Sequence, residues 1–272
     1  MDLAWRFAGE EAAPGVWQMA ADRYFFRAIE KHSEPVVVRL YRFSPHAISL
    51  GYHQDPERVV NLKTCEAAGI DVVRRPTGGR ALLHRNEINY AVIADTARAR
   101  LFGSHLSEAF ERVSLAVAAG LSVLGLQVEV SAGKRGRPEQ TTPRAGGLCA
   151  ASTTRYEITC RGRKIAAAAQ LRSADNLLQH GTIYLDESAP VPEGLFVKHS
   201  ALIREAKPNI AMASLRDLLG SAPDLEVVVN ALVAGFEEVL GANSMSRGFQ
   251  PSERESIAAL APEVRRKPAP GP

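Results

Sequence analysis

The order of apolar and polar residues predicts most of the elements. VWQMAADRYFFRAIEK (16–31) places Val16, Met19, Ala20, Tyr24 and Ala28 at helical spacing, which predicts an amphipathic helix. VVVRLYRF (36–43) and AISLGYH (47–53) read as strands, broken by Ser44-Pro45. Glu57 to Gly69 predicts a short helix with Gly69 as its C-cap. IDVVRRP and RALLH flank Thr77-Gly78-Gly79, which reads as strand, tight glycine turn, strand. EINYAVIAD (87–95) follows as another strand, and LSEAFERVSLAVAAGLSVLGL (106–126) as a helix that starts at Ser107 and is apolar along its second half.

The pattern breaks at 131–147, SAGKRGRPEQTTPRAGG, where Gly, Pro, Thr and basic residues predict a mobile surface loop. RYEITC and KIAAAAQLR, separated by Arg161-Gly162-Arg163, predict a hairpin, and LLQHGTIYLD one more strand. After residue 196 the period is helical, in LRDLLG and LEVVVNALVAGFEEVLG; the end, RRKPAPGP, reads as disordered. Strands in hairpins interleaved with a few helices predict an α+β fold, with a mixed, largely antiparallel sheet flanked by helices. A doubly wound nucleotide fold is not expected.

Composition narrows the classes. The chain has 272 residues, 46% of them hydrophobic and 23% charged, enough for a substantial core. A formal net charge of +3 is too weak to argue for nucleic acid, though it suits an acidic partner. No secretory leader is read at the N-terminus, and no apolar run reaches the ~18 residues of a membrane span. Cys65, Cys149 and Cys160 lack C-x-x-C spacing, which argues against a disulfide framework and a structural zinc site; free thiols fit the cytosol.

Four stretches could carry chemistry. In RRPTGGRALLH (74–84) the glycines bare the backbone, so a ligand could lie against it; an ordinary hairpin with a charged rim reads the same way. Cys149 follows Gly146-Gly147-Leu148 at the end of the loop, either a reachable nucleophile or a small buried hydrophobe, the role expected of Cys65 and Cys160. In GRKIAAAAQLR a continuous strand would put Lys164, Ala166, Ala168 and Gln170 on one face, leaving a shallow groove with Lys164 at one end. In LLQHGTIYLD, Gln179, His180 and Gly181 interrupt an apolar strand. A lone histidine in a strand is usually structural. No H-E-x-x-H, P-loop or G-x-S-x-G occurs.

Taken in order, RRPTGGRALLH with NEINYAV, Cys149 with TTRYEIT, GRKIAAAAQLR and LLQHGTIYLD resemble the lipoate–biotin protein ligase and octanoyltransferase superfamily over roughly residues 15–245. The resemblance implies that residues 1–250 form one catalytic domain, with 251–272 a tail, helical and then disordered. Ligases of this superfamily typically carry Gly-Asn-x-Asn shortly after the motif histidine. Here Glu87-Ile88 stands in place of Gly-Asn, and Asn89 remains. TGGRALLH followed by Glu and Tyr is similar to the cysteine-dependent octanoyltransferases.

That likeness implies transfer of an octanoyl group from octanoyl-acyl carrier protein, through a thioester on Cys149, to a lipoyl-domain lysine such as that of the glycine cleavage H protein. It implies no ATP and no metal, a cytoplasmic enzyme, and neither nucleic acid nor membrane as partner. Cys149 and Lys164 become the expected catalytic residues. Arg75, Thr77, Gly78, Gly79, His84, Ala166, Ala168, Gln170, His180 and Gly181 become the expected acyl-binding residues. Lys134, Arg135, Arg137 and Arg144 of the loop would suit an acidic carrier. Two alternatives stand beside this reading: an amidotransferase moving octanoyl from H protein to other lipoyl domains, and an ATP-dependent lipoate–protein ligase. Ala166-Ala167 departs from the glycine-serine common before Ala-Gln in this group, which would narrow the groove.

Overall fold

The computed structural model describes residues 3–9, 12–131, 156–187, 190–197 and 212–265. Cys149, all but the first residue of the 131–147 loop and the end beyond Arg265 lie outside these residues. The expected α+β architecture is present, built on a mixed six-stranded sheet. Its strands are β1 (Trp5–Gly9), β2 (Val36–Tyr41), β6 (Glu87–Asp95), β10 (Ala166–Ser173), β11 (Asn176–Tyr184) and β12 (Ser244–Ser246). They lie in the order β10-β11-β6-β2-β1-β12. The four from β10 to β2 are antiparallel; β1 runs parallel to both β2 and β12.

One face is covered by α4 (Leu106–Val123) and α6 (Leu225–Leu240), the other by α1 (Gly15–Ala28) and α7 (Pro251–Arg265). Strand alternation decides which residue meets which layer. Along VVVRLY, Val36, Val38 and Leu40 meet α4 and α6, whereas Val37 and Tyr41 meet the α1 layer. Both faces are covered, so the central strands are apolar on both sides apart from a few buried polar residues, and β6 is buried along all nine residues.

A small sheet, β4-β3-β5, packs beside α1, made of β3 (Ala47–Leu50), β4 (Asp71–Arg74) and β5 (Leu82–His84). The Asp71 carboxylate accepts the Gly15 amide at the start of α1, 3.1 Å away, tying the small sheet to the helix. Here one expectation is corrected. Residues 71–84 do not form a hairpin: β4 pairs parallel with β3, β5 pairs antiparallel with β3, and β3 lies between them. The glycine segment therefore crosses over the end of β3 instead of turning tightly.

Other boundaries differ for local reasons. The helix expected over 57–69 is two, α2 (Pro56–Val59) and α3 (Leu62–Ala67), each begun by a side-chain cap, Asp55 and Asn61. The hairpin around 161–163 is present: β8 (Ile158–Cys160) and β9 (Arg163–Lys164) are joined through Arg161 and Gly162, both at positive φ as a type I′ turn requires. With β7 (Val128–Val130) they form a third sheet. A short α5 (Leu215–Leu219), ended by left-handed Gly220, precedes α6.

The segment expected as a tail is integral as far as Arg265. Buried Arg6 forms a two-point ion pair with Glu253 in the first turn of α7, at 2.7 and 2.8 Å. Burial pushes the Glu253 carboxyl up, but the bonds and charge of Arg6, the Gln250 amide and His32 together outweigh it and hold it below its ordinary value. Cys65 and Cys160 are buried free thiols, as expected of small core residues. Among the described residues no helix is long and apolar enough to cross a membrane.

Candidate active site

The seam between the two sheets opens into a cavity of about 350 Å³, counting space continuous with solvent. Met19 of α1, Leu82 of β5, Ala167, Ala168 and Ala169 of β10 and Gly181 of β11 give it an apolar lining. Tyr41, Ser49, Arg75, His84, Asn89, His180 and Thr182 give it a polar one. The polar groups are almost all engaged with one another.

The first two arginines of RRPTGGR each close a loop. Arg74 Nη1 donates to the carbonyls of Gly51, Tyr52 and Gln54, fixing the segment after β3. Arg75 donates through Nε to Thr77 Oγ1 and Gly78 O, through Nη1 to Ser49 O and Oγ, and through Nη2 to Gly78 O and Arg80 O. Its five N–H groups are thus committed to the protein. The loop so formed seats against Gly51, where a Cβ would fall 1.9 Å from the Gly79 carbonyl. Gly79 itself has φ 92°, a value that side chains disfavour.

Two parallel chains of hydrogen bonds lead away from Arg75. Thr77 Oγ1 lies 2.7 Å from His180 Nε2, and His180 Nδ1 lies 2.8 Å from Asp22 Oδ2. Asp22 also pairs with fully buried Arg39, which reaches Gln18 Oε1 at 2.5 Å, and accepts from the Tyr41 hydroxyl at 3.2 Å. In the second chain, Ser49 Oγ lies 2.8 Å from His84 Nε2, and His84 Nδ1 faces Glu87 Oε1 at 3.3 Å. Asn89 Nδ2 donates to Glu87 Oε1, and Thr182 Oγ1 donates to Asn89 Oδ1. Burial, against the pull of Asp22, pushes the His180 imidazole below its ordinary 6.5; Arg75 and His84 push the same way. Burial and Asp22 together keep the Tyr41 phenol neutral by raising it. The described lining accordingly offers imidazoles and hydroxyls around a guanidinium already satisfied by protein acceptors.

Of the residues singled out from sequence, Arg75, His84, Ala168, His180 and Gly181 line this cavity. Thr77, Gly78 and Gly79 stand behind it as its supporting loop. Gly181 is small for a reason on the opposite face: a Cβ there would fall 2.5 Å from the Tyr90 ring. The row Lys164, Ala166, Ala168, Gln170 is corrected. The strand breaks at Ile165, where the chain passes from β9 to β10. Ala166 and Ala168 lie beside Tyr90, Phe110 and Ser114 on the α4 side, and Ala167 and Ala169 line the cavity, together with Ala168. Gln170, with its amide nitrogen donating to Leu106 O at 3.0 Å, fastens β10 to the start of α4. Lys164 lies off the cavity lining, ion-paired to Glu157 at 2.9 Å and 5% exposed.

Asp22, Ser49, Glu87, Asn89 and Thr182 were not singled out as site residues. Asp22 carried a signal, a charge among Met19, Ala20, Ala21 and Phe25 on a helix face that is otherwise apolar. Among the described residues no group of His, Cys, Asp and Glu is arranged to hold a metal.

The described residues thus form an α+β domain with a cavity of mixed apolar and polar lining at the seam between its six-stranded sheet and the small β4-β3-β5 sheet. The lipoyl protein ligase A/B catalytic domain family matches residues 14–237. Octanoyltransferase LipM of Carboxydothermus hydrogenoformans is 33% identical over 264 residues, 95% of either chain. Its counterpart in Moorella thermoacetica is 31% identical, over 94% of this chain and 93% of its own. In fold, the chain resembles the bi-partite lipoate protein ligase of Thermoplasma acidophilum, with TM-score 0.71 at 19% identity over 97% of this chain and 93% of that one. Lipoate-protein ligase A bound with ATP gives TM-score 0.72 at 20% identity, over 96% and 95%. The chain belongs to the lipoyl protein ligase A/B catalytic domain family.

Proposed function

We propose that the chain is a protein N-octanoyltransferase of lipoate biosynthesis, working through a cysteine thioester without ATP or metal. The Cys149 thiolate attacks the octanoyl thioester of acyl carrier protein, the C–S bond to the carrier breaks, and the carrier thiolate leaves. The lysine amine of a lipoyl domain, such as that of the glycine cleavage H protein, then attacks the acyl-Cys149 carbonyl. An amide forms, the enzyme C–S bond breaks, and the thiol is restored. Thioester exchange is nearly isoenergetic and amide formation is downhill, so the sequence needs no nucleotide. Lys164 is the candidate cation for the developing oxyanion.

The observation that carries this reading is the cavity. Its lining joins apolar side chains of α1, β5 and β10, and among the described residues the guanidinium that lines it, Arg75, is engaged with protein acceptors, which suits an uncharged acyl chain. Octanoyltransferase relatives over 94–95% of the chain support it, as does Glu87-Ile88, where ligases typically carry Gly-Asn. The test is to incubate the protein with octanoyl-acyl carrier protein, without ATP, and weigh it intact. One octanoyl adduct, lost in Cys149→Ala, is expected. No adduct, together with ATP-dependent lipoylation, overturns the reading in favour of a ligase.

A further inference from the structure

The direction of each hydrogen bond around Arg75 follows from chemistry. An ionised carboxylate only accepts, so the ring nitrogen facing Asp22, His180 Nδ1 at 2.8 Å, carries the hydrogen. The neutral ring then has a bare Nε2, so the Thr77 hydroxyl 2.7 Å away must donate to it. With its hydrogen directed there, Thr77 Oγ1 turns a lone pair to Arg75 Nε, which donates to it at 3.1 Å. On the other side of the guanidinium, Arg75 Nη1 donates to Ser49 Oγ at 3.2 Å, and Ser49 Oγ lies 2.8 Å from His84 Nε2. A carboxylate, an imidazole and a hydroxyl, Asp22, His180 and Thr77, therefore lead to the Arg75 guanidinium with a single consistent polarity.

We infer that Asp22 is a positioning residue. It fixes His180 as its Nδ1–H tautomer, so that Thr77 presents a lone pair to Arg75, which holds the 77–80 loop as a wall of the acyl cavity. Asp22 lies on α1, an element remote from the loop. Asp22 is itself held by Arg39 and Tyr41. The loop connects to the rest of the small sheet through the Tyr52 amide, which donates to Thr77 O at 2.9 Å, so that amide reports on its seating. In taking the cavity as acyl-binding, the inference rests on the function proposed above.

The test uses the full chain labelled with ¹⁵N-histidine, long-range ¹H–¹⁵N spectra, amide exchange at Tyr52 and steady-state transfer kinetics. The wild type is expected to show His180 as the Nδ1–H tautomer. Thr77→Val is expected to speed Tyr52 amide exchange and raise KM for the octanoyl donor, each by about three- to tenfold, the scale of one hydrogen bond, with kcat little changed. Thr77→Ser restores both. Asp22→Asn is expected to abolish the single-tautomer signature of His180; if it does not fold, Thr77→Val and its rescue carry the test. A wild-type His180 in the Nε2–H form, or unchanged Tyr52 exchange in Thr77→Val, overturns the inference. A wild type with the expected tautomer and exchange pattern that takes up no octanoyl group leaves the positioning intact and removes the proposed function instead.

Discussion

The two faces of the six-stranded sheet are built on the same strands with opposite chemistry. The face under α4 and α6 is a continuous apolar core that includes Trp5, Val38, Leu40, Val92, Leu177, Leu232 and Phe236. The face under α1 holds buried Arg6, Asp22, Arg39, Asn89, His180 and Thr182 among its apolar residues. Residues adjacent in sequence are split between them: Val38 packs, while Arg39 pairs with Asp22. Close packing is the stabilising device of the first face. The second sacrifices some packing for a connected polar network that shapes a cavity, and such a network is costly when half satisfied.

The sharpest way to break the comparison is to damage each face separately. Arg39→Met leaves Asp22 buried without its ion partner; a loss of about 3–5 kcal/mol is expected in chemical denaturation, together with loss of the defined His180 tautomer. Phe236→Ala on the apolar face is expected to cost a similar ~3–5 kcal/mol by transfer and cavity terms, yet to leave the His180 ring signals in place. Equal effects of the two on those signals would show that the faces are not separable.

Gly181→Ala tests the residue that belongs to both. The added methyl meets Tyr90 on the apolar face, so about 1–3 kcal/mol of overpacking is expected, accompanied by a rise in KM for the acyl donor as β11 shifts at the cavity.

A smaller effect concerns pH. Buried His180 titrates below 6.5, so the folded state resists a proton that the unfolded chain accepts. Its contribution to stability is complete above about 6.5 and falls as pH drops from there through the lowered folded value. The groups facing the ring are Asp22, Thr77, Arg75 and His84, with Arg39 and Tyr41 behind Asp22. Denaturation midpoints measured between pH 7.5 and 5 are expected to decline over the acid half of that range, less steeply in His180→Gln. His32, also lowered by burial, adds in the same direction.

The smallest effect is expected at the surface. Glu263 of α7 bridges Arg23 and Arg27 of α1 in open solvent, and Glu263→Ala is expected to cost no more than ~1 kcal/mol. A larger loss would move the outer helix pair into the same class as the buried network.

Much of the site was legible in the sequence. RRPTGGRALLH and LLQHGTIYLD together supply Arg75, His84, His180 and Gly181 to one cavity. A polar residue inside an apolar strand was the useful signal, and Arg39 in VVVRLY and Ser49 in AISL carried it unread. Other features were not legible. That β3 would insert between β4 and β5 is a long-range pairing with no local trace in residues 71–84. A break at Ile165 separates Lys164 from the alanine row, and the alternation of faces along β10 turns Ala167 and Ala169 to the cavity beside Ala168, none of which the local sequence marks.

The sequence by itself determined the elements, the family likeness and the residue types available for chemistry, because periodicity, caps and turns act over a few neighbouring positions. Only the tertiary structure decided which face each strand residue meets and that Asp22 stands beneath His180, 158 positions away. It also decided that Arg75 would be consumed in holding its own loop. Those outcomes depend on partners brought together by sheet order and helix packing, and a hydrogen bond acquires a direction only when both of its ends are in place.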